Sequence, residues 1–488
     1  MADLEGKLDR SMNYLKLALF FGTILIFSSC IFIFLSNSNF TPETALGSSR
    51  EKYGVICDAG SSGTRIFVYK IAENSENSQN LAKIDTLVRN GKPVVRKVSP
   101  GLSSFGNHPE KVVEYFEPLL TFAEANIPLE QIEETPLFIF ATAGMRLLPE
   151  GQKSAIIENL QKNLQTITKF RIKAENIRII DGSWEGIYSW ISVNYILGNF
   201  GTKNEAAKKT VGMIDMGGAS VQIAVEIEGE NKEKNENVFE INLSPIIKFQ
   251  IFSATFLGFG ANQGLEKYEK SLLSPIDPCS PEETKGSGEW TKCVEKVRNS
   301  VRNEKCGAEK CLLNLKTPKG IDLAEMEMFG FSEYWYTTRN FGSHGTYNYT
   351  NFVKNINEYC TESWEEIKRK KQNGGFENIE QSRMETNCFK AAWTIAVLHD
   401  GFEIDEENNR FQSVLEINGE EMQWALGAMI YHTRNSGILA AEKSLETNRF
   451  MITCSYILIC TFSFLLAFWL FREYYTKRRK ISSYRLVV

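Results

Sequence analysis

At 488 residues the chain is too long for one ordinary hydrophobic core, so two lobes or more are expected. Its hydrophobic content of 43% and charged content of 24% are those of a globular protein, which excludes a disordered or fibrous chain. The net charge of −5 argues against nucleic acid as the main partner, but a metal and backbone amides could still supply a local positive field for anionic nucleotides.

Two apolar runs frame the chain. Leu17 to Leu35 is uncharged, long enough to cross a bilayer, and follows Lys7, Arg10 and Lys16. Phe450 to Phe471 is likewise uncharged and precedes Arg472, Lys477, Arg478, Arg479 and Lys480. Positive flanks stay cytoplasmic, so two membrane anchors are expected, with cytosolic tails at 1–16 and 472–488 and the intervening chain outside the cytosol. A cleaved signal peptide is the competing reading of the first run, although no clear small-residue cleavage site follows it. Residues 36–52, with Pro42, Gly47, Ser48 and Ser49, read as a polar stalk.

The run Tyr53–Cys57 leads into Asp58-Ala59-Gly60-Ser61-Ser62-Gly63-Thr64-Arg65 and then Ile66–Tyr69, the pattern of strand, tight turn and strand. Its glycines allow backbone angles that aim successive N–H groups at an anion, and the acid at the strand end can hold a divalent cation directly or through water. Asp215-Met216-Gly217-Gly218-Ala219-Ser220-Val221-Gln222 repeats the pattern between Val211–Ile214 and Ile223–Val225. Superposing Asp58 on Asp215 superposes Gly60 on Gly217, Ile66 on Ile223 and Val68 on Val225. Two such hairpins suggest duplicated lobes facing one phosphate chain.

Between and beyond them, 109–124 and 152–168 have helical spacing. Leu137–Phe140 reads as a buried strand leading to Ala141-Thr142-Ala143-Gly144, and Asn176–Asp181 as a strand with a helix from Gly186 onward. Glu185 therefore falls at a strand-to-helix junction. Thr142 could bond a phosphate or a metal-bound water, and Arg146 either a phosphate or a structural carboxylate. Residues 199–209 and 228–237 read as polar loops, 252–260 as a packed loop bordering the site, 368–380 as a charged surface segment and 388–398 as a buried helix. Residues 320–345 are aromatic-rich, and aromatic rings can stack on a nucleobase.

The chain resembles the ecto-nucleoside triphosphate diphosphohydrolase (apyrase, CD39-like) family. Residues 58–65 look like its first motif, Ala141-Thr142-Ala143-Gly144-Met145-Arg146 its second, Trp184-Glu185-Gly186-Ile187-Tyr188-Ser189-Trp190 its third, 215–223 its fourth, and Trp424-Ala425-Leu426-Gly427, more weakly, its fifth. The resemblance spans roughly residues 53–430 in family order. It implies a two-lobe α/β fold of actin/Hsp70-like (ribonuclease H-like) type, the first lobe over 53–181 completed by about 428–447, the second over 182–427, with a transmembrane helix at each end.

The resemblance also implies the chemistry, hydrolysis of terminal phosphates of nucleoside di- or triphosphates with Ca²⁺ or Mg²⁺. Asp58 and Asp215 would hold the cation through its waters. Ser61, Ser62, Gly63, Thr64, Thr142, Gly217, Gly218, Ala219 and Ser220 would bind phosphates. Glu185 would activate the attacking water, oriented by Ser220 and Gln222, and Tyr336 would stack on the base. A helix cap is the alternative role for Glu185. An actin/Hsp70-like binding protein and a sugar kinase would share the hairpins, because fold does not fix function; phosphate release to water separates the enzyme from both.

Cysteines and sequons bear on compartment. Of ten Cys, three lie in the apolar runs and Cys57 in the first strand; six remain, an even set that suggests disulfides outside the cytosol and permits 15 pairings. Four His and no CxxC pair argue against zinc. The resemblance favours Cys279–Cys293, Cys306–Cys311 and Cys360–Cys388, and the disulfide that the family often carries near Gly258-Phe259-Gly260 is absent. Asn348 opens the best placed glycosylation sequon, ahead of Asn39 and Asn242. Gly63, Arg65 and Phe331-Ser332-Glu333-Tyr334 lean toward lumenal two-anchor members of the family, which implies the Golgi lumen and clearance of UDP and GDP; the plasma membrane is the alternative. Tyr484-Arg485-Leu486-Val487 fits a tyrosine sorting signal. A homo-oligomer is left open.

Overall fold

The computed structural model describes residues 51–72, 81–201, 208–227, 235–284, 286–302, 311–318, 320–342, 345–376 and 379–434, with isolated positions at 14, 22 and between 455 and 479. Residues 51–435 form one compact unit, and 1–50 with 436–488 another. The expected first membrane run, the stalk and the sorting signal lie outside the described residues, apart from Gly22 and the stalk's last two residues, Glu51 and Lys52, of which Lys52 opens a strand. Of the second run, the described positions from Ser455 to Phe471 are helical, and Phe462, Leu465, Phe468 and Trp469 among them are exposed. Among the described residues no helix is long and apolar enough to cross a membrane.

The larger unit is built on two sheets. The first holds β1 (Lys52–Ala59), β2 (Thr64–Ala72), β3 (Lys83–Thr86) and β4 (Val95–Val98), then α1 (Val112–Glu124), β5 (Leu137–Ala141), α2 (Glu150–Asn163) and β6 (Ile177–Ile179). Its order is β3-β2-β1-β5-β6, with β4 also paired to β2. The strands read as unbroken apolar runs because both faces are covered. Val55, Cys57, Ile66 and Val68 pack with Phe116 and Leu120 of α1 and Ile156 of α2. Their neighbours Ile56, Phe67 and Tyr69 point the other way.

The second sheet follows α3 (Gly182–Ile196). It contains β7 (Gly212–Met216), β8 (Ser220–Glu226), β9 (Val238–Asn242) and β10 (Lys248–Leu257), and after α4 (Ala261–Lys270) come β11 (Met328–Ser332), α5 (Glu333–Asn340) and β12 (Gly345–Thr346). Last are α6 (Asn387–Ile395), β13 (Phe411–Ser413) and α7 (Trp424–Thr433). The order is β9-β10-β8-β7-β11-β13-β12. One face carries Ile214, Val221, Ile223 and Val225 against Phe389 and Trp393 of α6.

The other faces of both sheets share one core. Met213 and Ala224 of the second sheet, and Ile56 and Phe140 of the first, pack with Tyr188 and Trp190 of α3 and Trp424 and Met429 of α7. A helix apolar all round belongs in such an interior, and twelve of the residues of α3 are buried. The two helices cross closely because Gly427 has no side chain: a Cβ there would lie 1.8 Å from the Tyr188 carbonyl oxygen.

Three sequence readings change here. The helix of the third motif starts at Gly182, earlier than expected, because the Asp181 carboxylate accepts a hydrogen bond from the Ser183 N–H at 2.8 Å and caps it. Residues 252–257 are strand: β10 pairs with β8 on one side and β9 on the other, and its Phe252, Ser253 and Ala254 are buried. The charged segment at 368–380 begins inside a helix, Trp364–Gln372, capped by Ser363.

Two disulfides join Cys279 to Cys293 and Cys360 to Cys388, and Cys57 is a buried free thiol. Cys311 is also disulfide-bonded; its expected partner Cys306 lies outside the described residues. Cys360–Cys388 closes a 28-residue separation and ties the helix Tyr349–Cys360 to α6. Replacing both cysteines with Ala is expected to cost about 2–4 kcal/mol of stability, the usual worth of such a cross-link. Denaturant unfolding of the variant checks this.

Candidate active site

The two hairpins are equivalent down to individual hydrogen bonds. The Gly60 N–H donates to the Gly63 carbonyl at 3.0 Å, and the Gly217 N–H to the Ser220 carbonyl at 3.0 Å. The rows across the sheets match as well. In the first, Phe140, Asp58, Arg65 and Lys97 are consecutive cross-strand neighbours. In the second, Phe331, Asp215, Gln222 and Thr255 are. Cross-strand neighbours share a face, so each Asp has a fixed companion set. The first lobe sets two cations, Arg65 and Lys97, on one side of its Asp; the second sets the neutral hydrogen-bonding groups of Gln222 and Thr255 there.

Glycine acts in these turns through space, since neither hairpin contains a residue of positive φ. A Cβ on Gly218 would lie 3.1 Å from Ser61 Oγ, and one on Gly144 2.7 Å from Ser61 Cα. The two hairpins and the end of β5 therefore meet at Ser61. The N–H groups of Ser61, Ser62, Gly218 and Ala219 have no backbone acceptor among the described residues. Thr64 and Thr142 are buried, and Ser61 and Ser62 exposed.

Glu185 stands in the first turn of α3, aimed at this junction by the cap at Asp181 and by Ser253 Oγ of β10, which donates to the Ser183 carbonyl at 2.8 Å. Its carboxylate is buried and accepts from Arg146 Nη2 at 2.5 Å. Of the two roles open to Arg146, this contact is the one the geometry provides. Arg146 Nε and Nη1 are buried without hydrogen-bond partners among the described residues. Gln222 Nε2 donates to Ser220 Oγ at 2.6 Å and to Thr255 Oγ1 at 3.2 Å. Thr255 carries no signal in the sequence, where its segment has the composition of a loop.

The three carboxyls are electrostatically linked. Burial, with the nearby Asp215 and Asp58 charges, pushes Glu185 up to about 8 against the pull of Arg146. Burial and Asp215 push Asp58 up to about 7 against Arg65 and Lys97. Burial raises Asp215 too, opposed by a hydrogen bond from Ser332 and by Arg65. Asp215 Oδ1 is buried with no hydrogen-bond partner among the described residues.

An enclosed, unpaired carboxylate oxygen facing another acid fits a cation. Among the described residues no group of three or more His, Cys, Asp or Glu is placed to hold a metal ion. Asp58 and Asp215 therefore suit a cation that keeps its waters and takes its remaining ligands from phosphate, as Mg²⁺ commonly does.

A carboxyl whose folded pKa lies above its unfolded value of about 4 contributes stability at low pH that is lost as pH rises through the folded value. Without divalent cation, the melting temperature should fall between about pH 4 and pH 8 on account of these groups. Added cation should raise it more at pH 8 than at pH 5. Thermal unfolding with and without chelator at both pH values tests this.

Tyr336 lies on α5, directly after β11, the neighbour of β7. It is half-buried, with the Arg383 guanidinium 5.4 Å from its ring centroid. Buried Glu333 holds that guanidinium, accepts from Lys390 Nζ at 3.4 Å and from Thr337 Oγ1 at 2.7 Å. Ser332, the last residue of β11 and the N-cap of α5, has φ +56° and ψ −115°, a conformation that non-glycine residues rarely adopt. No local pattern in the sequence marks Arg383, and Ser332 stands out there only as part of Phe331-Ser332-Glu333-Tyr334, not as a neighbour of Asp215.

The model of the GDA1/CD39 (nucleoside phosphatase) family matches residues 45–448. The chain belongs to this family. It is 53% identical over 405 residues to nucleoside-triphosphatase ntp-1 of Caenorhabditis elegans, covering 79% of this chain and 74% of that protein. It is 42% identical over 456 residues to nucleoside-diphosphatase mig-23 of the same organism, covering 84% and 82%. Human ectonucleoside triphosphate diphosphohydrolase 7 is 33% identical over 442 residues, covering 78% and 73%. A crystal structure of nucleoside triphosphate hydrolases from Neospora caninum shares the fold, with TM-score 0.56 at 14% identity over 82% of this chain and 95% of that one. The fold is accordingly the actin/Hsp70-like α/β type, and the protein is a hydrolase acting on phosphoric anhydrides of nucleotides.

Proposed function

We propose that the protein is a membrane-anchored, divalent-cation-dependent nucleotidase that removes terminal phosphates from nucleoside diphosphates, UDP and GDP above all, in the Golgi lumen. The observation that carries the catalytic part is the pair of equivalent hairpins bearing Asp58 and Asp215, with buried Glu185 beside them.

On this reading Asp58 and Asp215 hold Ca²⁺ or Mg²⁺ through its waters. A bound divalent cation supplies neutralisation of phosphate oxygens. The N–H groups of Ser61, Ser62, Gly218 and Ala219, with Thr64 and Thr142, cradle the phosphates. Ser220 and Gln222, braced by Thr255, orient the attacking water, and Glu185 accepts its proton. The raised pKa of Glu185 makes it a stronger base once ionised, and Arg146 holds the carboxylate in place. Tyr336 stacks on the base.

The siting rests on the two apolar runs with basic flanks, the exposed apolar side chains on helical positions between Ser455 and Phe471, and disulfides suited to an oxidising compartment. Asn348 is exposed, as a glycan acceptor must be. The name of the mig-23 relative supports diphosphates as substrates. The higher identity to a protein named a nucleoside-triphosphatase supports a second reading, in which triphosphates are taken as readily. Phosphate release from UDP, GDP, ADP and ATP by the full-length protein in sealed vesicles decides between them. Latent activity that prefers UDP and GDP supports the first reading; ATP preference, displayed on intact cells, would replace it with a cell-surface role.

A further inference from the structure

We infer that a cleft on the Glu185 side of the hairpins is the passage by which cleaved orthophosphate leaves, ahead of the shortened nucleotide. This rests on the hydrolytic reading of Glu185 and on Tyr336 as the base site. The cleft measures about 370 Å³. Ser61 and Gly218 line it, with Ser103, Ser104, Leu147 and Leu148 from the first lobe and Asn262 and Gln263 from the second.

Its direction follows from strand order. In the second sheet β10 and β11 lie on opposite sides of the β7–β8 hairpin. Tyr336 follows β11, whereas Asn262 and Gln263 follow β10. The catalytic cluster is on the β10 side as well: Arg146 Nη1 and Thr255 both crowd Gly182, at 2.1 and 2.3 Å from where a Cβ would stand. A nucleotide with its base at Tyr336 therefore points its last phosphate toward Glu185, and the cleft opens beyond.

Charge sets which product is held. Arg65 and Lys97 follow Asp58 in the row on β2 and β4, the side away from β5 and Arg146. They can retain the phosphate that stays on the nucleotide. Among the described residues no charged side chain lines the cleft. The first turn of α4, which could otherwise hold an anion, is already occupied. Ala261 N–H donates to the Gly217 carbonyl, and Asn262 and Gln263 N–H donate to the Gly218 carbonyl, at 2.9 to 3.1 Å. A neutral polar passage of this kind binds a phosphate dianion weakly and lets it go.

The test narrows the cleft outside the catalytic groups. Leu147 is 46% exposed and Gln263 half-buried, so Trp at either position is compatible with folding. Full-length parent, Leu147→Trp, Gln263→Trp and Leu147→Ala would be compared in single turnover, reading bond cleavage by acid quench and free phosphate by a fluorescent phosphate sensor. The Trp variants should cleave at the parental rate but release phosphate about five-fold or more slowly, with Leu147→Ala releasing like the parent. Release that keeps pace with cleavage in both Trp variants, or cleavage and release slowed alike, would overturn the inference. Failure of the parent itself to cleave nucleotide would instead remove the hydrolytic reading beneath it.

Discussion

Glu185→Gln is expected to lower kcat by roughly 10²–10⁴-fold, the worth of a positioned general base, with nucleotide affinity little changed. Gln preserves the size of the side chain but cannot accept the proton of the attacking water. The competing role, capping the helix, is taken by Asp181, whose carboxylate bonds the Ser183 N–H. The substitution also removes a buried charge that burial opposes, so folding should survive it. Arg146→Ala should be worse for folding than Glu185→Gln, because it leaves the Glu185 carboxylate buried without its cation. Rates and thermal stability of both variants, measured side by side, separate catalytic from structural loss.

Asp215→Asn and Asp58→Asn should nearly abolish hydrolysis and remove its dependence on divalent cation, as should chelator on the parent. Their effect on stability should run the other way. Both acids are half-buried, the Asp215 charge opposes ionisation of Asp58, desolvation opposes that of Asp215, and Asp215 Oδ1 has no partner among the described residues. In cation-free buffer at pH 8 each Asn variant should be as stable as the parent or more so, a trade of stability for activity common at functional sites. Addition of Ca²⁺ or Mg²⁺ should stabilise the parent and not the variants. Full activity in chelator would contradict the metal role, and a large loss of stability on Asp215→Asn would mark the residue as structural.

The hairpins were legible in the sequence because their signal is local: an apolar run, an acid, glycines, hydroxyls and a second run. The repeat made them more specific, and the structure extends it to the turn hydrogen bonds and to the rows Asp58–Arg65–Lys97 and Asp215–Gln222–Thr255. The start of α3 was misplaced because Gly182 and Ser183 are weak helix formers, and only the Asp181 cap brings them in. The strand β10 was hidden by its closing Gly258-Phe259-Gly260 and by aromatics without clean alternation, since both its edges are paired inside the sheet. Thr255 was lost with it. Arg383 over Tyr336, and Ser332 beside Asp215, depend on which chain segments meet in space, which no spacing along the chain reports. The cleft beside Leu147 and Gln263 is likewise made by two segments more than a hundred residues apart.

Central to the account is a single step, cleavage of the terminal phosphate by water that Glu185 deprotonates between the two hairpins. Single-turnover cleavage by excess full-length enzyme, parent against Glu185→Gln, isolates that step from binding and release. The account predicts parental nucleotide affinity with cleavage slowed roughly 10²–10⁴-fold in the variant. A variant that binds nucleotide and cleaves it at the parental rate would contradict it.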